Sequence, residues 1–150
     1  MRLRKAWFTL VQVAYDLFLK INPRKLAAHV VIQDEQGRVL VLRSRYANQW
    51  SLPGGGLDRR ENVDSAAIRE CREELGVDVA LEALTGMYYH ANISAYVAIF
   101  RARIIQGEIR LSHEHSECRW ALPAELPANL RQMAEDAVRY ECQAILRTFG

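Results

Sequence analysis

Residues 55–77 read GGLDRRENVDSAAIRECREELGV, a glycine-rich loop followed by a run with helical character. Within that run, Glu70, Glu73 and Glu74 lie three and four residues apart, so a helix would place them side by side. Like charges at this spacing destabilise an isolated helix, and we therefore expect a cation beside them. Hard cations such as Mg²⁺ take carboxylate and carbonyl oxygens and are commonly completed by substrate phosphates. The stretch predicts metal-dependent chemistry on a phosphorylated substrate.

The same stretch resembles the signature of the Nudix hydrolases, Gly-x5-Glu-x7-Arg-Glu-U-x-Glu-Glu-x-Gly-U, in which U is a bulky aliphatic residue. Every charged and glycine position of that signature matches. Cys71 stands where an aliphatic residue is usual, and we expect little change in packing because a free cysteine behaves as a small hydrophobe. Residues 50–56 and 117–120 also look like the family, so the resemblance covers roughly residues 26 to 127.

This resemblance implies hydrolysis of a pyrophosphate linkage. Water would attack phosphorus while one or more Mg²⁺ or Mn²⁺ ions hold and neutralise the phosphate oxygens. By analogy, the carboxylates of Glu70, Glu73 and Glu74 bind metal, together with a backbone carbonyl of Gly54 or Gly55. Either Glu70 or Glu73 would serve as the general base, and the sequence leaves that choice open.

Two further groups complete the site that the resemblance implies. Arg69 is expected to orient the carboxylates through a bidentate pair with Glu61. Relatives often add a glutamate from the loop before the Glu-x-Arg-Trp strand, as a metal ligand or base. Glu114 is the first candidate for this role and Glu117 the second. The histidines on either side of Glu114 are left out of the metal set, because an isolated His-x-His pair is more often a polar loop than a zinc site.

Substrate recognition is expected outside the signature, where loops and strand edges offer cations for phosphate and rings for stacking. The candidate substrate-binding residues are Arg43, Arg45, Tyr46 and Tyr89. Trp50 sits beside apolar neighbours, which favours packing over contact with a base. Nudix subgroups that act on NADH or ADP-ribose tend to carry a proline shortly after the signature. Residues 78–105 contain no proline, which argues against those subgroups.

The composition fits one globular domain over residues 1–150, because half of the residues are apolar and a quarter are charged. A net charge of +2 with both signs interspersed gives no large field, so a small phosphorylated ligand is favoured over nucleic acid. The three cysteines are widely separated and form no Cys-x-x-Cys motif. They indicate neither a disulfide framework nor a thiolate zinc site, and they predict a reducing cytoplasm.

Residues 1–21 predict an amphipathic helix that extends the domain at its N-terminus. Apolar residues recur there at helical spacing, and Gln12, Asp16 and Lys20 interrupt any continuous apolar run. The segment is therefore expected to be neither a signal peptide nor a transmembrane helix. We expect its apolar face to pack on its own domain. A contact within a homodimer and a contact with the membrane surface are the alternatives.

The remaining pattern predicts an α/β layered domain. Strands are expected at 25–32 and 39–43, joined as a hairpin by the turn at 34–37, and at 77–79, 84–89, 95–105, 109–111 and 118–121. One helix is expected from Asn62 or Asp64 to Leu75, closed by Gly76, and another from about residue 129 to about residue 148. The family resemblance implies an α/β/α sandwich around a mixed β-sheet.

The sequence as a whole predicts a small cytoplasmic Nudix pyrophosphohydrolase. Its expected substrate is a nucleoside triphosphate or another nucleoside diphosphate derivative. One alternative is a hydrolase of nucleotide sugars or dinucleoside polyphosphates. The other is a Nudix-fold module that senses a nucleotide without turning it over.

Overall fold

The computed structural model describes residues 25–142 and 145–149, which form eight strands and two α-helices. The helix predicted for residues 1–21 lies outside the described residues. The strands are β1 Lys25–Ile32, β2 Val39–Ser44, β3 Trp50–Ser51, β4 Gly54–Gly56, β5 Asp78–His90, β6 Ala95–Gln106, β7 His115–Ala121 and β8 Ile145–Phe149. The helices are α1 Val63–Leu75 and α2 Ala128–Val138. Neither helix of the described part is long and apolar enough to cross a lipid bilayer.

The strands form two sheets that lie between the two helices. Five strands make a mixed sheet in the order β4-β1-β6-β5-β8, in which β1 runs parallel to β6 and β5 parallel to β8. The other three make an antiparallel sheet in the order β3-β2-β7. One buried core joins the sheets to α1, and a second joins their other faces to α2. The predicted α/β/α sandwich around a mixed sheet is confirmed.

Helix α1 has the bounds that the sequence predicts. Asn62 occupies its N-cap position, and Gly76 ends it in a left-handed conformation at φ +68°, with its N–H donating to the Arg72 carbonyl at 3.0 Å. Ala67, Cys71 and Leu75 are fully buried and face the sheets. Burial raises the pKa of the Cys71 thiol to about 12, so Cys71 packs as a neutral apolar residue, as expected. The buried stripe holds the adjoining glutamate face at a fixed position.

The predicted hairpin of β1 and β2 is wrong. The turn at 34–37 forms, and the Asp34 carboxylate accepts the N–H groups of Gln36 and Arg38. The two strands are linked by an isolated bridge between Gln33 and Val39, and then enter different sheets. Residues 30–32 and 39–42 are continuously buried, so each strand needs cover on both faces, which an isolated two-stranded hairpin does not supply.

The strand predicted at 109–111 is also wrong, and two others are joined. The backbone N–H groups of Arg110 and Ser112 donate to the carbonyls of Leu75 and Glu74, so this segment caps the end of α1 instead of joining a sheet. Residues 78–79 and 84–89, predicted as parts of separate strands, belong to one long strand, β5, whose pairing with β6 shifts register at three places: Asp78/Val79, Leu81/Ala83 and Leu84/Gly86.

The second helix ends at Val138, ten residues earlier than predicted, and β8 follows it. Asp136 of α2 is buried, accepts the Tyr88 hydroxyl at 2.8 Å and pairs with Arg147 of β8 at 2.7 Å. The ring of Phe149 stacks on Tyr88 with 5.6 Å between centroids. These contacts join residues far apart in the chain, and they outweigh the helical pattern of the last residues.

Candidate active site

Four glutamates line one pocket of about 260 Å³. Glu70, Glu73 and Glu74 come from α1 and Glu114 from the loop before β7, with Ser112 and His113 beside them. The side chains of Glu70 and Glu74 are only 13% and 10% exposed, whereas that of Glu73 is 60% exposed. The second candidate for the auxiliary glutamate, Glu117, lies on β7 outside this pocket, where it pairs with Arg43 at 3.4 Å.

Arg69 donates hydrogen bonds to three carboxylates of this region. Its Nε and Nη2 atoms donate to the two carboxylate oxygens of Glu61, both at 2.9 Å. Its Nη1 atom donates to Glu70 at 2.8 Å and to Glu73 at 3.1 Å. Nη2 also donates to the Gly56 carbonyl at 3.0 Å. The hydrogen bonds from Arg69 lower the pKa of Glu61 to about 2, so Glu61 is an anion throughout the physiological range.

Glu74 is the most perturbed carboxyl group of the pocket. Its Oε2 accepts the Gly54 N–H at 2.8 Å, and its Oε1 lies 3.5 Å from Nε2 of His115. Burial chiefly, and then the charges of Glu70 and Glu114, raise the pKa of Glu74 to about 8. Burial also raises the pKa of Glu70 and lowers that of His115. A nearby cation would favour the ionised form of both glutamates.

A β-bulge turns His115 toward Glu74. In the pairing of β2 with β7, Arg43 lies opposite Glu117 and Ser44 opposite His115, so Ser116 is an extra residue on β7. Cys118 and Trp120 pack in the core on the α1 side, and strict alternation would put His115 on the opposite face. The bulge shifts this alternation by one residue. The sequence prediction set His115 aside as part of a polar His-x-His loop, and nothing in the local pattern indicates the bulge.

The glycines of β4 allow the backbone to lie against α1 and β1. Gly54 has φ +141°, and a Cβ there would collide with the Ala28 carbonyl and the His29 backbone. A Cβ on Gly55 would lie 2.5 Å from Oε1 of Glu70. A side chain at the first position would therefore strain the sheet, and one at the second would displace a carboxylate of the pocket.

We expect the two glycines to fail in different ways when replaced by alanine. Gly54→Ala meets rigid backbone and a left-handed φ, so it should lower the melting temperature or the yield of folded protein. Gly55→Ala meets the end of a flexible side chain, so the protein should keep its fold and lose activity. Thermal unfolding and turnover of both variants test this.

Gly56→Ala is the matched control, since a Cβ there meets no atom within 4 Å. A Gly55→Ala enzyme of normal activity would contradict the expected displacement of Glu70.

The chemistry of the pocket suits a hard divalent cation, because its donors are carboxylate oxygens crowded in a partly buried space. Glu70, Glu73, Glu74 and Glu114 are the residues that could hold one. In the described residues no three acidic, histidine or cysteine side chains already converge as a ligand set. Arg69 engages Glu70 and Glu73, so a bound ion would compete with its guanidinium for these two groups.

The candidate substrate-binding residues are dispersed. Arg43 donates to Asn48 at 2.9 Å and lies with its guanidinium 5.8 Å from the Trp50 ring centroid. Tyr46 is 76% exposed on the loop between β2 and β3. Tyr89 packs on Tyr96 with 4.7 Å between ring centroids and does not line the glutamate pocket. Arg45 donates to backbone carbonyls of the loop that carries Glu114.

A second pocket, of about 410 Å³, lies beside Trp50. Its lining residues are Asn48, Gln49, Trp50, Pro127 and Asn129. The guanidinium of Arg119 lies 4.5 Å from the Trp50 ring centroid. The sequence did not reveal this pocket, because its amides come from the loop between β2 and β3 and from the start of α2.

An α/β/α sandwich that holds a glutamate-lined pocket at a glycine-rich strand suits a hydrolase of phosphoanhydride bonds. Residues 23–141 match the NUDIX domain family, and the chain belongs to the Nudix hydrolases.

A MutT-like protein of Streptomyces ambofaciens is 31% identical over 103 residues, which cover 69% of this chain and 67% of that protein. A Bacillus subtilis (strain 168) protein, provisionally named an 8-oxo-dGTP diphosphatase, is 31% identical over 101 residues, which cover 67% of this chain and 68% of that protein. The crystal structure of an ADP-ribose pyrophosphatase from Streptococcus suis 89-1591 superposes with a TM-score of 0.70, covering 84% of this chain and 99% of that one. The two sequences are 21% identical, so this similarity shows the fold alone.

Proposed function

We propose that this protein is a Mg²⁺- or Mn²⁺-dependent pyrophosphohydrolase. Its substrate is a nucleoside triphosphate or another nucleoside diphosphate derivative, in which it cleaves a phosphoanhydride bond. The observation that carries the proposal is the group of four glutamates at one pocket, two of which have a raised pKa. The relative named for 8-oxo-dGTP supports a triphosphate as substrate.

In this proposal Glu70, Glu73, Glu74 and Glu114 hold the metal, and a backbone carbonyl of Gly54 or Gly55 adds a neutral oxygen. When bound, the ion polarises the phosphate and lowers the pKa of water. The Gly54 N–H fixes the position of the Glu74 carboxylate through its 2.8 Å hydrogen bond.

The reaction adds one water across a phosphoanhydride bond. The water oxygen forms a new bond to phosphorus, and the bond from that phosphorus to the bridging oxygen breaks. Glu70 or Glu73 accepts the proton of the water, and the leaving phosphate keeps the bridging oxygen. Arg69 donates to both candidate bases, at 2.8 and 3.1 Å, and so restricts the directions in which their free oxygens point.

The pocket beside Trp50 is proposed to hold the nucleobase. Amide side chains both donate and accept hydrogen bonds, so Asn48, Gln49 and Asn129 suit the edge of a base. Arg43 contacts Asn48 of this pocket, and Tyr46 is exposed on the same loop between β2 and β3, so both are retained as substrate-binding residues. Tyr89 is retained as a candidate only for a substrate that extends beyond both pockets.

A panel of nucleotides tests the proposal. We expect pyrophosphate release from one or more nucleoside triphosphates with Mg²⁺ or Mn²⁺, and no release after chelation. The panel includes 8-oxo-dGTP, the ordinary triphosphates, ADP-ribose, a nucleotide sugar and a dinucleoside polyphosphate, with Glu70→Gln as the inactive control. Turnover confined to the last two compounds would favour the alternative hydrolase. Binding of a nucleotide without turnover would favour a sensing module.

We also propose that the protein is cytoplasmic and acts on a small nucleotide rather than on nucleic acid. All three cysteines are free, and Cys142 is exposed, which suits a reducing compartment. Size-exclusion chromatography with light scattering tests whether the protein forms a homodimer.

A further inference from the structure

The guanidinium of Arg45 holds the loop that carries Glu114. Its Nε donates to the His113 carbonyl at 3.0 Å, and its Nη2 donates to the His115 carbonyl at 3.2 Å. The backbone N–H of Arg45 donates to the carbonyl of Glu114 at 2.8 Å. Three consecutive loop carbonyls therefore accept hydrogen bonds from one residue on the neighbouring chain segment.

The same loop contacts α1 on its other side. The Ser112 N–H donates to the Glu74 carbonyl at 3.0 Å, and His115 lies 3.5 Å from the Glu74 carboxylate. Glu114 itself lines the pocket with the three glutamates of α1. The position of Glu114 relative to these glutamates is thus set by two groups of contacts, one from α1 and one from Arg45.

We propose that Arg45 is a positioning residue for Glu114 and not a ligand of the substrate phosphates. The proposal rests on the proposed function, since it takes Glu114 as part of the metal site. Two guanidinium donors of Arg45 point at loop carbonyls, and this planar fork matches acceptors two residues apart. A lysine keeps the positive charge but has a single nitrogen, which cannot reproduce both contacts in this geometry.

Steady-state kinetics separate positioning from substrate binding. We expect Arg45→Ala to lower kcat about tenfold or more with little change in KM. Loss of a residue that orients a metal ligand typically lowers metal affinity or activity about 10- to 100-fold. Arg45→Lys should recover little of the loss. A phosphate contact would instead give a raised KM that lysine largely restores. Arg103→Ala is the matched control, since that side chain is 65% exposed and pairs with Glu82 at 3.7 Å, away from the Glu114 loop.

A double-mutant cycle with Glu114→Gln tests whether Arg45 acts through Glu114. If it does, Arg45→Ala should have little further effect on kcat in the Glu114→Gln background. Independent, multiplicative effects of the two changes would overturn the proposal.

Hydrogen exchange supplies a readout that does not need turnover. The amides of Ser112 and His115 should exchange faster in Arg45→Ala than in the wild type and the Arg103→Ala control, while the rest of the protein is unchanged. Unchanged exchange at these amides would overturn the proposal even if the enzyme is active. Faster exchange in a protein that hydrolyses no nucleotide would leave the loop contact standing and refute the proposed function instead.

Discussion

Glu74→Gln is expected to lower kcat by about 10²- to 10³-fold, the usual cost of removing one preorganised group that stabilises charge at a reaction centre. Glutamine has almost the same volume as glutamate, and its amide oxygen can still accept the Gly54 N–H. The fold should therefore be kept while one anionic oxygen ligand is lost. Turnover at saturating Mg²⁺ measures the effect.

The same substitution should stabilise the metal-free protein at high pH. The pKa of Glu74 is about 8 in the folded chain, above its ordinary value near 4.5. The stability that comes from holding this proton is fully present below about pH 4.5 and is lost as the pH rises to about 8. Each pH unit between these values corresponds to roughly 1.4 kcal/mol. Without metal, Glu74→Gln should melt above the wild type at pH 8.5 and close to it at pH 5.

Adding Mg²⁺ should reverse that order, because an ion that binds only the folded state stabilises it and the variant lacks one ligand. Glu108→Gln is the matched control, since that side chain is 85% exposed and lies outside the pocket. Wild-type turnover in Glu74→Gln, or an unchanged melting temperature at high pH without metal, would refute the role assigned to Glu74.

Arg69→Ala is expected to lower activity about 10- to 100-fold, because it frees Glu61, Glu70 and Glu73 from the group that orients them. Arg69→Lys should restore little, since an ammonium group cannot reproduce the bidentate contact with Glu61. Arg72→Ala is the matched control on the same helix. Its side chain is 62% exposed and pairs with Asp78, which is not one of the pocket carboxylates.

A carboxyl titration by NMR gives an independent readout for Arg69. The pKa of Glu61 should rise from about 2 toward its ordinary value in Arg69→Ala and stay low in Arg72→Ala. Because the folded-state pKa of Glu61 is depressed, its stabilising contribution is present above about pH 4.5 and is lost as the pH falls toward 2. Arg69→Ala should therefore lack this part of the acid sensitivity. A Glu61 pKa that does not move would show that Arg69 is not its main partner.

Features that depend on near neighbours in the chain could be predicted from the sequence. The end of α1 follows from Gly76, and the closeness of Glu70, Glu73 and Glu74 follows from the helical repeat. The burial of Cys71 follows from its place on the apolar stripe. In each case the physical cause, a cap or a three- to four-residue spacing, lies within a few residues of the feature it determines.

Features that depend on distant partners were decided only by the tertiary structure. Strands β1 and β2 separate because each is covered on both faces, and the last residues form β8 because Asp136, Tyr88 and Arg147 meet. His115 reaches Glu74 through a bulge opposite Ser44, and Arg45 meets the Glu114 loop across 68 to 70 residues of chain. Their free energy comes from burial and hydrogen bonds between segments, and no local pattern of residue types records which segments will be neighbours.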